Sequence, residues 1–154
     1  MPARSIIAAV LERYAGFAFA NKPADLWYGD PPVKRPGGAA VQLPLAQLFD
    51  DGGSNEFVGG LFGLTRQKIR IEVFAPSMAI AKDIDLGIKY NGGALDAGAG
   101  FHFASTLPFD SSILFMAMYL SDESKFAFQP DRSADATRVY KLTMSFIVQC
   151  MFRG

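Results

Sequence analysis

The sequence has few of the residues that most often build metal and catalytic sites. It contains one cysteine, Cys150, and one histidine, His102, among 154 residues. A lone cysteine cannot form a disulfide within the chain, and its neighbours in IVQCMF include no basic side chain that would activate the thiol. A zinc site at His102 would need carboxylates for all its other ligands. The sequence therefore predicts a structural His102, an unreactive buried Cys150 and synthesis in a reducing compartment.

Charge is also scarce, and the two signs cancel. Fifteen Lys and Arg balance fifteen Asp and Glu, and charged residues make up 19% of the chain. Proteins that bind nucleic acid or anionic membranes through charge alone carry an excess of cations. The balance excludes binding of this kind over the whole surface, so any contact with DNA must be local.

No stretch of the sequence reaches the roughly 18 consecutive apolar residues that span a bilayer. The first residues, MPARSIIAAVLERYAGF, contain an early arginine and an apolar segment, as a signal peptide does. Glu12 and Arg13 interrupt this segment, which argues against a signal peptide. Apolar residues instead recur at helical spacing between Pro2, which suits a first turn, and Gly16, which suits a stop. The pattern predicts an amphipathic helix from about residue 3 to 15.

Motifs of nucleotide binding and nucleophilic catalysis are absent from the sequence. There is no GxxxxGK[ST], and the glycine run at residues 93–100 follows a predicted helix, the wrong order for a dinucleotide-binding turn. No serine lies in a GxSxG or SxxK motif. The acids at residues 50–63 lack the regular ligand alternation of an EF-hand loop. The sequence therefore predicts no catalytic, cofactor-binding or metal-binding residues, although a site assembled from distant residues stays open at this point.

The clearest pattern lies at residues 66–93, RQKIRIEVFAPSMAIAKDIDLGIKYNGG. Charged and apolar residues alternate in its first part, which predicts a strand with one face in the core and the other in solvent or against a partner. The polar face of this strand carries Lys68, Arg70 and Glu72. The following apolar residues are three and four apart, which predicts an amphipathic helix capped by Ser77 and ended by Asn91. Asp83 and Asp85 in this helix are interpreted as solvated surface, because they do not face each other.

Two segments before this pattern predict a strand and a loop. Residues 40–49 alternate as a strand does, but Pro44 cannot donate a ladder hydrogen bond, which indicates an edge strand or a bulge. Residues 50–63, DDGGSNEFVGGLFG, contain five glycines and several acids. Glycine-rich polar segments between strands are typical of loops, so we expect a flexible, solvated hairpin loop here.

Further strands are predicted on either side. A short one lies around residues 26–28, and the later ones are GFHFAS, SILFMAMYLS, KFAFQ and TRVYKLTMSFIVQCMF, of which the last is the longest. In the last strand Phe146 shares a face with the other large apolar residues, and Lys141 points the other way. The order of elements predicts a single α+β domain with a mostly antiparallel β-sheet, two α-helices packed on one face and long hairpin loops. Half of the residues are hydrophobic, which suits a subunit that hides one face in an oligomer.

The order of these segments resembles the tail terminator proteins of long-tailed bacteriophages, the lambda-type terminators and related minor tail or tail completion proteins. The segments that carry the resemblance are SIIAAVLERY, DLWYGDPPV, VQLPLAQLFDD, RQKIRIEVFAPSMAIAKDIDLGI and YKLTMSFIVQCMF. The resemblance covers most of the chain as a pattern, and its best local match is IEVFAPSMAIAKDI with the closing strand. Residues 94–130 depart from it, since this segment is longer and more aromatic than the family leads us to expect.

The resemblance implies a small structural subunit of a hexameric ring, not an enzyme. Such a ring lies on the last ring of major tail tube proteins, ends tube polymerisation and docks the head-tail connector and neck proteins. Genomic DNA would pass through its lumen without sequence-specific binding. The protein would then be made in the host bacterial cytoplasm and end in the virion, with no role for a membrane or a cofactor. Two alternatives stay open, namely another neck component such as a head-closure or adaptor protein, and a small intracellular enzyme or ligand-binding domain.

We expect the assembly contacts in two loops, residues 50–63 and 121–137, and on the polar face of the strand at residues 66–73. Loops on a rigid sheet can meet a partner without disturbing the core. The predicted contact residues are Phe57, Val58, Lys68, Arg70, Glu72, Phe126, Arg132 and Lys141.

Overall fold

The computed structural model describes residues 2–29, 43–58, 62–91, 100–101, 113–130 and 138–153. Within these ranges two helices and five strands follow one another along the chain. They are α1 (Pro2–Ala15), β1 (Leu26–Tyr28), β2 (Leu45–Val58), β3 (Phe62–Ala75), α2 (Met78–Tyr90), β4 (Ile113–Pro130) and β5 (Arg138–Arg153). The predicted α+β class is confirmed.

The five strands form one sheet in the order β1-β2-β3-β5-β4. β1 runs parallel to β2, and the other three pairings are antiparallel. β3 pairs with β5 along its whole length, from Phe62 opposite Arg153 to Ala75 opposite Tyr140. The mostly antiparallel sheet predicted from the sequence is therefore confirmed, and β3 and β5 form its centre.

The core lies between the two helices and one face of the sheet. Alternate residues of β3 and β5 point to this face, because side chains alternate along a strand. The sheet contributes Ile69, Ile71, Val73, Leu142, Met144, Phe146 and Val148, all with 0% exposure. The helices contribute Ile7, Val10, Tyr14, Ala81, Ile84 and Ile88 to the same cluster. Both helices thus cover one face of the sheet and leave the central part of the other face to polar residues.

α2 has the ends that its sequence predicts. The Ser77 hydroxyl accepts a hydrogen bond from the backbone N–H of Ile80, and Asn91 ends the helix in the left-handed region with φ 51°. The backbone N–H of Asn91 donates to the carbonyl of Gly87 at 2.7 Å. Gly87 also allows a close approach, since a Cβ atom at this position would lie 2.1 Å from the ring of Phe19. The segment after α1 therefore packs directly on the α2 backbone.

The segment between α1 and β1 is tied back to α1 by hydrogen bonds. The buried hydroxyl of Tyr14 donates to the carbonyl of Pro23 at 2.6 Å. Burial, and to a lesser degree the charge of Asp25, raises the pKa of Tyr14 well above its ordinary value. The Lys22 ammonium donates to the carbonyl of Phe17 at 2.7 Å and lies 4.8 Å from the centre of the Tyr14 ring. These contacts give hydrogen-bond partners to two carbonyls of the segment, those of Phe17 and Pro23.

The prediction of a flexible loop at residues 50–63 is wrong for the residues that the structure describes. β2 and β3 continue to pair through this region, from Gly53 opposite Gln67 to Val58 opposite Phe62. The pairing is interrupted only between Asp50 and Gly53, where Gly52 adopts φ +90°. Glycine tolerates this conformation without a Cβ clash. The glycines thus serve a β-bulge, and the ladder hydrogen bonds of β3 hold the rest of the segment extended.

The strand predicted at residues 40–49 begins only at Leu45 among the described residues, directly after Pro44. Proline has no N–H to donate to a ladder, so its position at the strand entry satisfies the expected constraint. The prediction of an edge strand is wrong, because residues 46–48 of β2 pair with β1 on one side and β3 on the other. The one bulge in the described part of β2 lies at residues 50–53, in the segment predicted as a loop, and not at Pro44.

β4 corrects two predictions about the later strands. SILFMAMYLS and KFAFQ belong to one strand of 18 residues, which is longer than the 16 residues of β5. Two register shifts, from Leu120 to Asp122 and from Asp122 to Lys125, mark the place where the sequence suggested a break. Residues 121–130 are therefore strand rather than loop. Residues 131–137, His102 and most of the strand predicted as GFHFAS lie outside the described residues.

The interpretation of Asp85 as solvated surface is also wrong. Its exposure is 9%, its carboxylate lies 3.1 Å from the ammonium of Lys89, and it accepts a hydrogen bond from the Ser124 hydroxyl. Asp85 is covered because α2 faces the irregular part of β4. Asp83 does lie on the exposed side of α2, where it accepts a hydrogen bond from the Asn21 amide at 3.1 Å.

Candidate assembly surface

The sheet face that points away from the helices, called here the outer sheet face, carries an ion-pair network near its centre. On β3 the residues Lys68, Arg70 and Glu72 alternate with the buried core residues and so point to the outer sheet face. Lys141 joins them from β5, where its backbone lies opposite Phe74. These four residues are half of the predicted assembly contacts, and the sheet brings them together.

Arg70 is held from three directions. Its Nε lies 3.2 Å from Oδ2 of Asp51, and one terminal nitrogen donates to Glu72. The guanidinium lies 4.5 Å from the centre of the Phe49 ring, a cation–π distance. One third of the side chain is still exposed, at 33%. Arg70 therefore presents a pre-oriented guanidinium edge at the surface.

Glu72 is the most buried acid of the network, with an exposure of 7%. Its Oε1 lies 3.2 Å from the Lys141 ammonium and also accepts from Arg70. A carboxylate with so little access to water is stabilised only when cations or donors replace its hydration. The side chain of Gln47, whose backbone lies opposite Glu72, donates instead to the carbonyl of Gly29 at 3.2 Å. The centre of the outer sheet face is thus a packed polar layer.

Lys68 extends the network towards β4 through a looser contact. Its ammonium lies 3.4 Å from Asp122, and the two side chains are 44% and 57% exposed. Exposed pairs of this kind contribute little to stability, because water competes for both charges. The same part of β4 is anchored by Ser121, whose hydroxyl donates to the carbonyl of Ser145 at 3.1 Å.

The other predicted contacts do not join this network. Phe126 lies on the opposite face of the sheet, partly buried against the core. Phe57 and Val58 are the last two residues of β2, and the placement of their side chains is not described. Arg132 lies outside the described residues. For all of these residues, and for the four in the network, a role in assembly stays a prediction.

Sequence reasoning missed the acids and the ring that complete the network. Asp51 and Phe49 surround Arg70, and Asp122 pairs with Lys68. The sequence predicts a loop at Asp51, and strand alternation alone does not give the direction of its side chain, because the bulge changes which residues share a face. The one available signal was the Asp-Asp-Gly-Gly sequence, which suits a bulge as well as a turn.

In the part of the chain that the structure describes, no group of three or more histidine, cysteine, aspartate or glutamate side chains could hold a metal ion. Neither of the two described helices is long and apolar enough to cross a membrane. The buried cluster of Asp85, Lys89 and Ser124 pairs its charges internally and joins α2 to β4.

Comparison with known proteins identifies a shared fold but no family. No family model matches the chain, and no curated protein matches it. Among solved structures, a chain of the structure titled "Virion of native gene transfer agent (GTA) particle" is similar, with a TM-score of 0.61 and 14% sequence identity. The similarity covers 97% of this chain and 96% of that chain. The two chains therefore share a fold over nearly their whole lengths.

Proposed function

We propose that the protein is a structural component of a phage-type virion that caps the tail tube as a ring. The observation that carries this proposal is the fold shared with a chain of the gene transfer agent particle, which is a phage-like virion. Because the match spans 97% of one chain and 96% of the other, it relates two whole subunits. A match of this extent supports a common structural role better than a match to one motif would.

The sequence resemblance to tail terminators supports the same role through a separate argument. It rests on the order of helices and strands along the chain, and the structure has that order from α1 to β5. In the proposed ring, six copies lie on the end of the tail tube and stop the addition of further tube subunits. The opposite side of the ring then receives the neck proteins, and the DNA passes through the lumen.

The outer sheet face is the proposed place for contacts in this ring or for its lumen. Arginine contributes strongly to protein interfaces when its guanidinium is already oriented and partly shielded from water. Arg70 meets this description, since Asp51, Glu72 and Phe49 hold it while its edge stays exposed. The end of the β2–β3 hairpin with Phe57 and Val58, together with Phe126 and Arg132, supplies the proposed contacts to the tube or the neck.

Imaging of assembled particles by cryo-electron microscopy tests the proposal directly. We expect six copies of the chain in a ring at the head-proximal end of the tail tube. Six or twelve copies between the head and the tube would instead support the head-closure or adaptor alternative. A chain in single copy, or absent from tail and neck, would overturn the proposal.

Removal of the gene gives a second, functional test. Without a terminator, tube polymerisation has no defined end, so we expect tails of uncontrolled length or tails that fail to join heads. Complementation with the intact gene is the control. Particles with normal tails and normal infectivity or transfer after removal would contradict the proposal.

A further inference from the structure

The cations at the centre of the outer sheet face are already neutralised by acids on the same face. Lys68, Arg70 and Lys141 each have a carboxylate oxygen within 3.4 Å. From this arrangement we propose that Asp51, Glu72 and Asp122 act as built-in counterions that prevent these cations from binding DNA. This inference rests on the proposed function, in which DNA passes through the lumen of the ring. It places the outer sheet face in the lining of that lumen, where DNA passes without being bound.

The physical reason lies in how proteins gain affinity for DNA. Lysine and arginine bind the phosphate backbone largely because they displace cations condensed on it. A cation that is paired with a fixed carboxylate can bind a phosphate in two ways. It either loses the ion pair, or it brings the negative charge of the carboxylate close to the phosphate. Arg70 has two such carboxylates, Asp51 and Glu72. In both cases most of the favourable free energy of phosphate binding is lost, so the outer sheet face has little affinity for a polyanion.

The three counterions differ in how easily they can be displaced. Glu72 is 7% exposed and lies between Arg70 and Lys141, so it cannot turn away into solvent. Arg70 is itself held against the ring of Phe49. The pair of Lys68 and Asp122 is far more exposed, so its neutralising effect is weaker. We therefore expect Glu72 and Asp51 to suppress DNA binding more than Asp122 does.

Among the residues whose side chains the structure describes, two further cations on this face set the background for a measurement. Arg66 and Lys125 are exposed, and their positions on β3 and β4 point them to the outer sheet face. No ion pair joins either of them within the ranges that the structure describes. We expect them to give weak binding at low salt in every variant, so variants must be compared with a control of equal charge.

The test compares two double variants of the purified protein. Asp51→Asn/Glu72→Gln uncovers Arg70 and Lys141, whereas Glu12→Gln/Asp83→Asn removes two exposed acids from α1 and α2 on the helix side. Each variant loses two negative charges from a chain of net charge zero, which gives +2 in both. Binding to a labelled random-sequence DNA duplex is followed by fluorescence anisotropy from about 50 to about 200 mM salt, a range in which phosphate contacts change affinity strongly.

We expect the outer-face variant to bind at least about tenfold more tightly than the control at the lowest salt. Its plot of log affinity against log salt should be steeper by about 1.8, because about 0.9 is expected for each of two new phosphate contacts. Equal binding by both variants, or no binding by either, would overturn the inference. Circular dichroism and a thermal melt establish that both variants are folded.

If Glu72→Gln prevents folding, Asp51→Asn/Asp122→Asn replaces it, since both of these acids are exposed. We then expect a smaller increase in affinity over the same control, and equal affinity would again overturn the inference. The measurement uses the isolated protein and does not depend on its place in a particle. Equal DNA binding by the variants would overturn this inference but would not contradict the proposed ring. Absence of the ring from imaged particles would contradict the proposed function but would not change the measured DNA affinities.

Discussion

Lys141 on β5 and Glu72 on β3 form an ion pair across the outer sheet face, with 3.2 Å between Nζ and Oε1. Their side chains are 27% and 9% exposed, so Lys141 is not the plain surface residue that the alternation of its strand suggests. Lys141→Glu would place a second carboxylate beside Glu72. We expect a loss of about 1–3 kcal/mol of unfolding free energy, less than for a fully buried pair because Arg70 still contacts Glu72.

Urea denaturation of this variant measures the loss. The matched control is Lys82→Glu, which reverses the same charge on the exposed side of α2 and should change stability by no more than about 0.5 kcal/mol. Equal stability of Lys141→Glu and the parent protein would show that the ion pair of Lys141 and Glu72 does not contribute to the unfolding free energy.

Phe146 tests the assignment of the core face of β5. It has 0% exposure, and its ring lies 5.9 Å from that of Phe101 in an edge-on arrangement. Phe146→Ala should cost about 3–5 kcal/mol, because it removes a large buried ring and leaves a cavity. Phe146→Leu keeps most of the volume and should cost less than about 2 kcal/mol. Denaturant titration distinguishes the two, and a loss below about 1 kcal/mol for the alanine variant would contradict the buried placement.

Gly87 tests the close packing of α2 on the segment after α1. Alanine normally stabilises a helix interior by about 1 kcal/mol relative to glycine. Here a Cβ atom would lie 2.1 Å from the Phe19 ring, so Gly87→Ala should instead destabilise the protein by about 1–3 kcal/mol. The neighbouring Leu86 is 56% exposed, and Leu86→Ala should change stability by no more than about 0.5 kcal/mol. A thermal melt in which Gly87→Ala is more stable than the parent would refute the contact.

Ser77 tests the N-terminal cap of α2. Its hydroxyl accepts from the backbone N–H of Ile80 at 3.2 Å, and this bond satisfies one donor of the first helical turn. Ser77→Ala should therefore cost about 1 kcal/mol, and Ser77→Asp should retain most of the stability, since aspartate is also a good cap. Denaturation midpoints of both variants provide the measurement. Equal losses in the two variants would mean that the side chain does not act as a cap.

Tyr14 predicts a dependence of stability on alkaline pH. Burial raises the pKa of Tyr14 in the folded state, so the unfolded chain loses the proton first as the pH rises. The stabilisation is complete below the ordinary tyrosine pKa of about 10 and is lost progressively above it. Tyr14→Phe also removes the hydrogen bond to Pro23, which should cost about 1 kcal/mol at neutral pH.

The measurement is the unfolding free energy of both proteins between neutral pH and about pH 11, a range that covers the ordinary tyrosine pKa. We expect the stability of the parent protein to fall more steeply above pH 10 than that of Tyr14→Phe, while both change alike below it. Parallel curves over the whole range would argue against a buried, protonated Tyr14 hydroxyl.

The sequence pattern predicts correctly those elements that are determined by residues close to one another in the chain. The cap at Ser77, the end of α2 at Asn91 and the alternation of β3 follow from neighbouring side chains and their hydrogen bonds. These interactions join residues that are close in sequence, so they can be predicted without knowledge of any long-range contact. The same applies to the core face of β5, because period-two alternation does not depend on which strand is the neighbour.

The course of β2 and the surroundings of Arg70 depend on pairing between distant segments. Glycines at residues 52 and 53 favour a turn locally, but the ladder to β3 keeps the chain extended and converts the irregularity into a bulge. That bulge brings Asp51 to the guanidinium of Arg70. Asp85 is likewise buried only because the register shifts of β4 bring Ser124 to α2.

The sequence by itself determined the α+β class, both helices, the buried faces of β3 and β5 and the polar character of Lys68, Arg70 and Glu72. Only the tertiary structure decided which acids pair with these cations, since the partners lie 19 residues away for Asp51 and Arg70 and 54 residues away for Lys68 and Asp122. The periodicity of a strand specifies which face a side chain occupies. The neighbour across that face is set by strand order and register, which arise from hydrogen bonds and packing over the whole sheet.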